Sequence, residues 1–224
     1  MVWTKRMERM QRATEKLLQL VNVTEPPVPV EHIAYVRGVR LRKVPFSATL
    51  VGKQEGELSG LLLWEHGRVV IGVNELHSQT RQRFAIAHQL GHLELHYRDG
   101  MHIDEGFPVA LREGSLDLPH SPDMRVEGKD RQGRGDQSGS YHQGGGKPRP
   151  YHTRGEVGMV DAVEVEANSF ASELLMPVGL LERDLKGHVL DYEDDALLRG
   201  LAERYSVSLQ VMIFRLVSLR LIAL

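Results

Sequence analysis

Apolar positions in the first part of the chain follow a helical period and then give way to β-rich runs. Apolar residues from Met7 to Val21 recur at helical spacing, which predicts an amphipathic helix that Pro26-Pro27 ends. A short turn of chain follows, and three runs rich in β-branched and apolar residues then predict strands. These runs are residues 39–46, 58–64 and 68–73. The tight turn Glu65-His66-Gly67 joins the last two, so we expect a small antiparallel three-stranded sheet.

Helical periodicity returns after the strands and dominates the rest of the chain. Ser78 precedes a long run with apolar residues at helical spacing, from Phe84 to Leu95, and is a candidate N-cap. Another helix is predicted at residues 161–175, closed by Pro177. Two more are predicted at residues 193–205 and 208–219. The pattern therefore predicts an α+β fold that is mostly helical, with a C-terminal helical pair within residues 191–224.

The stretch from residue 112 to residue 158 follows neither period. It is rich in Gly, Ser, Pro, His and charged residues, which predicts a long flexible loop inserted into a main domain at residues 1–190. Within it, residues 125–154 carry seven Lys or Arg and three Asp or Glu, a local net charge of +4. We interpret the loop as a solvated linker, and a weak contact with an anionic partner is the alternative.

Composition narrows the possible chemistry. A formal net charge of -2 with 26% charged residues gives no overall field that would draw the chain to nucleic acid or to an anionic membrane. The absence of cysteine excludes a disulfide scaffold, a thiol nucleophile and a thiolate metal site, which leaves His, Asp and Glu as metal ligands. Residues 1–6 lack the apolar core of a signal peptide, and Arg215 and Arg220 interrupt the most apolar stretch, residues 211–224, so neither secretion nor membrane spanning is indicated. We therefore expect a cytoplasmic protein.

Two histidines, His88 and His92, stand four residues apart in the long apolar helix. Residues at positions i and i+4 share one face of a helix, with β-carbons about 5–6 Å apart, so both rings can reach one metal ion. The spacing alone is a weak signal in a chain with 11 histidines. The apolar surroundings strengthen it, because a buried imidazole needs a polar partner and a metal would satisfy both rings.

The remaining ligands of such a site are less obvious. His96 continues the same face but lies a rise of about 12 Å from His88, so these two and His92 cannot all bind one ion. We interpret His96 as a supporting or surface residue, with the pair His92 and His96 as an alternative site. A catalytic zinc site usually has three protein ligands. The helix at residues 161–175 offers Glu164 on a face with small residues, whereas Glu166 points about 200° round that helix.

Two stretches of the chain together resemble the ImmA/IrrE family of zinc peptidases. Residues 83–92 read Arg-Phe-Ala-Ile-Ala-His-Gln-Leu-Gly-His, where the family has Arg-Phe, three residues and His-Glu-Leu-Gly-His. Residues 164–177 carry the family's Glu-x-x-Ala-Asn-x-Phe-Ala followed by Leu-Leu-Met-Pro. The resemblance implies a zincin-like peptidase domain in which His88, His92 and Glu164 hold Zn²⁺. It also implies that residue 89 is the catalytic general base.

Gln89 stands where this resemblance requires a glutamate. A neutral amide can orient water but cannot accept and return a proton at neutral pH. General acid–base catalysis contributes typically about 10²–10⁴-fold, or about 3–5 kcal/mol of barrier, so very slow turnover is expected. The substitution is either engineered into an active enzyme or native to a pseudoprotease. The intact remainder of the motif favours engineering.

Three functions remain open from the sequence. The resemblance implies a site-specific endopeptidase that cleaves a helix-turn-helix repressor and so releases genes of a stress response or a mobile element. The C-terminal helices around residues 205–208 have helix-turn-helix spacing, so a DNA-binding regulator with a degenerate peptidase domain is the second hypothesis. The second of these helices is too apolar to read base edges well, and direct nucleic-acid binding is the weaker interpretation. The third is a pseudoenzyme that binds the repressor without cleaving it.

Overall fold

The computed structural model describes residues 2–46, 58–65, 68–96, 101–103, 157–186, 190 and 194–222. Its helices are α1 (Val2–Leu20), α2 (Val30–Val36), α3 (Gln79–Leu95), α4 (Val157–Leu175), α5 (Val178–Asp184), α6 (Asp195–Tyr205) and α7 (Leu209–Ser218). Its strands are β1 (Arg40–Val44), β2 (Gly60–Glu65), β3 (Arg68–Asn74) and β4 (Met101–Ile103). The predicted loop at residues 112–158 lies outside the described residues except for its last two, which begin α4. The fold is α+β, as predicted.

The sheet is mixed rather than antiparallel. Its order is β1-β3-β2-β4, with β2 antiparallel to both of its neighbours and β1 parallel to β3. The β2–β3 hairpin was predicted, but the expected direction of β1 is wrong. Strand β2 occupies one edge of β3, so β1 pairs along the other edge, which can accept a strand in either direction. The fourth strand, β4, was not predicted.

Helix α3 is the central buried element. Ser78 caps its N-terminus as predicted, because the Ser78 hydroxyl accepts a hydrogen bond from the backbone N–H of Arg81 at 3.4 Å. The helix packs on β2 and β3 on one side and on α4 on the other, and all residues from Arg83 to His92 are buried. An apolar helix enclosed in this way places any polar side chain on it out of contact with bulk water.

Helix α4 lies unusually close to α3. Gly91 of α3 faces Phe170 and the backbone carbonyl of Ala167 on α4, and both α4 residues are fully buried. A residue without a side chain at this crossing lets the two helix backbones approach. This close approach brings the first half of α4 towards the histidines of α3.

The C-terminal helices complete the same apolar core. Helices α6 and α7 occur where they were predicted, joined by a left-handed residue, Ser206, at φ 52°. Both contribute buried residues to the cluster that also contains the cores of α3 and α4. Helix α5 was missed, because Pro177 was interpreted only as the end of α4, although it also serves as the N-cap residue of α5. Within the described part of the chain, no helix is long and apolar enough to cross a membrane.

Candidate metal centre

The two histidines of α3 point their Nε2 atoms at one place. His88 is 2% exposed and His92 is completely buried. Their Nε2 atoms lie 2.9 Å apart, and the two rings meet edge to face with centroids 4.6 Å apart. The i, i+4 spacing therefore converges the rings, as the sequence predicted. A metal ion between two neutral imidazoles this close would be stabilising, because the Nε2 lone pair of each ring could coordinate it.

The carboxylate of Glu164 on α4 completes the cluster. One of its oxygens lies 3.3 Å from His88 Nε2 and the other lies 3.4 Å from His92 Nε2. All three donor groups thus lie within 4.8 Å of one another. Two imidazole nitrogens and one carboxylate oxygen are a donor set that zinc accepts, and they lie near enough together, so the residues present fit a metal ion.

Asn168 contacts the His88 ring on the side away from the cluster. Its Oδ1 lies 2.9 Å from Nδ1 of His88, on the side of the ring that faces away from the cluster. Asn168 follows Glu164 by one helical turn and so shares its face of α4. Asn168 lies within the family motif, but no function was predicted for it. Its spacing from Glu164 is the signal that could have identified it.

The two other candidate ligands, Glu166 and His96, contact each other outside the cluster. Glu166 forms an ion pair with Arg6 of α1 at 2.9 Å, and its other carboxylate oxygen lies 3.6 Å from Nε2 of His96. Neither Glu166 nor His96 is part of the described cluster of ligand atoms. The structure therefore brings together the three predicted ligands and places His96 beside them as a neighbour, with its ring 5.7 Å from that of His92.

Gln89 is completely buried on the adjoining face of α3, against the sheet. Its Cγ lies 3.5 Å from the position that a β-carbon would take at Gly60 of β2, so the glycine leaves room for the side chain. Neither the oxygen nor the nitrogen of its amide bonds to a protein group in the described part of the chain. A buried amide without such partners is costly in a purely structural role, which favours a role in binding water or substrate.

Arg83 fixes the start of α3 to two distant segments. It is 6% exposed and donates hydrogen bonds to the carbonyls of Val28, at 2.7 Å, and Ser206, at 3.3 Å. Burial lowers the pKa of Arg83, and the nearby carboxylate of Glu31 opposes this shift. The sequence motif included Arg83 without explaining it. The contacts show that this residue joins the histidine helix to the turn between α6 and α7.

A mixed sheet over a helix with His-x-x-x-His, joined by a second helix that adds a carboxylate, defines a zincin-like fold. The profile of the peptidase M78 family, described as the IrrE N-terminal-like domain, matches residues 21–110 and 159–217, roughly two thirds of the chain. The chain belongs to this family, and it is a peptidase-type protein of the ImmA/IrrE kind. No curated protein matches it significantly. The break in the family match coincides with the predicted loop at residues 112–158.

Proposed function

We propose that this protein is a zinc-dependent, site-specific endopeptidase whose own residue 89 leaves it catalytically impaired. His88, His92 and Glu164 would hold the zinc ion. The observation that carries the proposal is their convergence, because the Nε2 atoms of two buried histidines lie within 3.4 Å of the partly exposed Glu164 carboxylate in a peptidase-family fold. A set of two imidazoles and one carboxylate is typical of catalytic zinc sites, which keep the fourth position open.

The chain's own groups define what can happen around such an ion. A zinc ion there would polarise a peptide carbonyl and lower the pKa of water. Gln89 can orient that water by hydrogen bonding, but its amide cannot take up the proton or pass it to a leaving amine. Binding of metal and substrate should therefore be retained while turnover is slow. Gln89 is either an engineered replacement of the base or the native residue of a pseudoprotease, and the intact remainder of the site favours the first.

The substrate we propose is a helix-turn-helix transcriptional repressor in the cytoplasm. The resemblance to the ImmA/IrrE family supports this assignment, and cleavage would release genes of a stress response or a mobile element. A peptidase needs an extended, accessible segment in its substrate. A repressor with a flexible linker offers such a segment to a site that lies next to a sheet.

The decisive experiment restores the base. Gln89→Glu adds a carboxylate of almost the same shape, so zinc content should change little while cleavage of a co-expressed cognate repressor rises by about 10²-fold or more. The matched control carries both Gln89→Glu and His92→Ala and should be inactive, since the base has no activated water to deprotonate. If Gln89→Glu binds zinc and the repressor but cleaves no faster than the unmodified chain, the peptidase assignment fails.

The alternative is a pseudoprotease that binds a repressor without cutting it. Gln89 is the observation that supports this alternative. A DNA-binding role for α6 and α7 is less well supported. The single basic residue of α7, Arg215, is 7% exposed and bonded within the protein, so the helix offers no described cation to a DNA phosphate. We therefore propose packing as the main role of this helical pair.

A further inference from the structure

We propose that Asn168 is a positioning residue for the metal centre, which fixes the hydrogen of His88 on Nδ1 and so directs the Nε2 lone pair at the ion. This inference rests on the proposed function, since it concerns the same centre. It starts from the 2.9 Å contact between Asn168 Oδ1 and His88 Nδ1. An amide oxygen can only accept a hydrogen bond, so the nitrogen that faces it must carry the hydrogen.

The opposite side of the His88 ring shows why this tautomer matters. Nε2 of His88 lies 2.9 Å from Nε2 of His92 and 3.3 Å from a carboxylate oxygen of Glu164. A hydrogen on this atom would occupy the direction in which a metal must bind. Neutral imidazole carries one hydrogen, so holding it on Nδ1 leaves Nε2 ready to coordinate. Metal-bound histidines generally donate their other N–H to a carboxylate or carbonyl oxygen in this way.

Burial makes Asn168 the important acceptor. The His88 side chain is 3% exposed, so bulk water has little access to its Nδ1. Asn168 also lies one helical turn beyond Glu164, which means that α4 supplies both a ligand and the group that orients another ligand. A shift of α4 would therefore move both together, and the geometry of the centre is coupled to the packing of one helix pair. An amide in this position orients the ring without adding a second negative charge.

The test compares three variants of the full chain. Asn168→Leu has a similar size but no acceptor, Asn168→Asp keeps an acceptor oxygen, and Ser169→Ala is the matched control. Among the residues that the structure describes, the Ser169 hydroxyl donates to the Val165 carbonyl of its own helix, at 2.7 Å, and bonds to no group of the centre. Zinc affinity is measured by competition with a chromophoric chelator. We expect Asn168→Leu to weaken binding by about 10- to 100-fold, with Asn168→Asp and Ser169→Ala within a few-fold of the unmodified chain.

A second readout detects orientation directly. Long-range ¹H–¹⁵N spectra of the metal-free protein should show His88 with its hydrogen on Nδ1, and Asn168→Leu should shift it towards a mixture of tautomers. Equal zinc affinity in Asn168→Leu and the unmodified chain would overturn the inference alone. So would equal losses in Asn168→Leu and Asn168→Asp, or a hydrogen on Nε2 in the unmodified chain. An unmodified chain that takes up no zinc would instead overturn the proposed function, and this inference with it.

Discussion

Gly91 lies against Phe170 so closely that a β-carbon on Gly91 would stand 3.0 Å from the ring and 3.1 Å from the Phe170 Cβ. Such distances force a neighbouring group to move. The carbonyl of Ala167 lies 3.2 Å away on the same side, so the rigid backbone of α4 would have to shift with the ring. Gly91 is thus a requirement of the crossing between the helix that carries the histidines and the helix that carries Glu164.

Gly91→Ala should therefore lower the free energy of unfolding and weaken zinc binding. Overpacking of a core typically costs about 1–3 kcal/mol, and the better helix propensity of Ala returns about 1 kcal/mol of it. Urea unfolding should show the net loss, and chelator competition should show weaker zinc binding because α4 has moved. Gly200→Ala is the matched control, since a β-carbon at Gly200 of α6 meets nothing within 4 Å. It should stabilise the protein or leave it unchanged. Weakened zinc binding in this control would show that the effect of Gly91→Ala is not local.

The two glutamates of α4 should differ sharply in their effect on metal content. Glu164→Ala and His88→Ala remove groups from the cluster and should lower zinc content strongly, measured by elemental analysis of the purified protein. Glu166→Ala removes only the partner of Arg6 and the neighbour of His96, so zinc content should remain near one ion per chain. Loss of the metal in Glu166→Ala together with its retention in Glu164→Ala would reverse the ligand assignment.

Much of this site could be predicted because helical periodicity is a local property. The period of α3 and the cap at Ser78 follow from neighbours in sequence, and they place His88 and His92 on one face. Helical periodicity did not decide between Glu164 and Glu166 as the third ligand, since it shows only that their side chains point in different directions from the helix. The resemblance implied Glu164, and in the structure the Glu164 carboxylate lies beside His88 and His92.

Apart from α5, which was missed at Pro177, the unpredicted features depend on contacts between distant segments. The position of β1 beside β3 follows from which edge of β3 the hairpin leaves open, and residues 40–44 do not by themselves distinguish a parallel from an antiparallel pairing. The roles of Arg83 and Asn168 likewise depend on acceptors that other segments bring to them. For Gln89, the motif identified the position from sequence. Its burial against Gly60 became apparent only in the fold.

Asp184 at the end of α5 should make stability depend on pH in the acid range. Burial of its carboxyl raises the pKa, but hydrogen bonds from Arg204 at 2.7 Å and Tyr205 at 3.0 Å outweigh this and hold it below the usual value. A depressed pKa in the folded state means that the contribution is present above the unfolded value of about 3.9 and is lost as pH falls through the folded value.

Asp184→Asn should accordingly destabilise the protein by about 1–3 kcal/mol at neutral pH, the scale of hydrogen bonds to a charged group. The difference from the unmodified chain should shrink below about pH 4, because protonation there removes the same charge. Urea unfolding at several pH values measures it. Asp195→Asn is the control, since Asp195 pairs with Arg199 at the surface and should show a much smaller effect. A difference that stays constant down to pH 2 would contradict the assignment.

The buried ion pair between Glu173 and Arg215 tests whether α7 belongs to the core. Glu173 lies on α4 and Arg215 on α7, and Arg215 also donates to the carbonyl of Met176 at 3.2 Å. Both residues are at least 90% buried. Removing one partner of a buried pair leaves an uncompensated charge and typically costs about 3–5 kcal/mol.

Glu173→Gln and Arg215→Met should each reach that range in urea unfolding, whereas the double variant Glu173→Leu with Arg215→Met should recover much of the loss, because apolar residues can replace a buried pair. Zinc content should stay near that of the unmodified chain in every variant that folds, since neither residue touches the cluster. Single losses below about 1 kcal/mol would mean that α7 is not anchored to α4. In that case α7 could move to meet a nucleic acid, and salt-dependent DNA binding by the full chain would be the measurement that decides between packing and recognition.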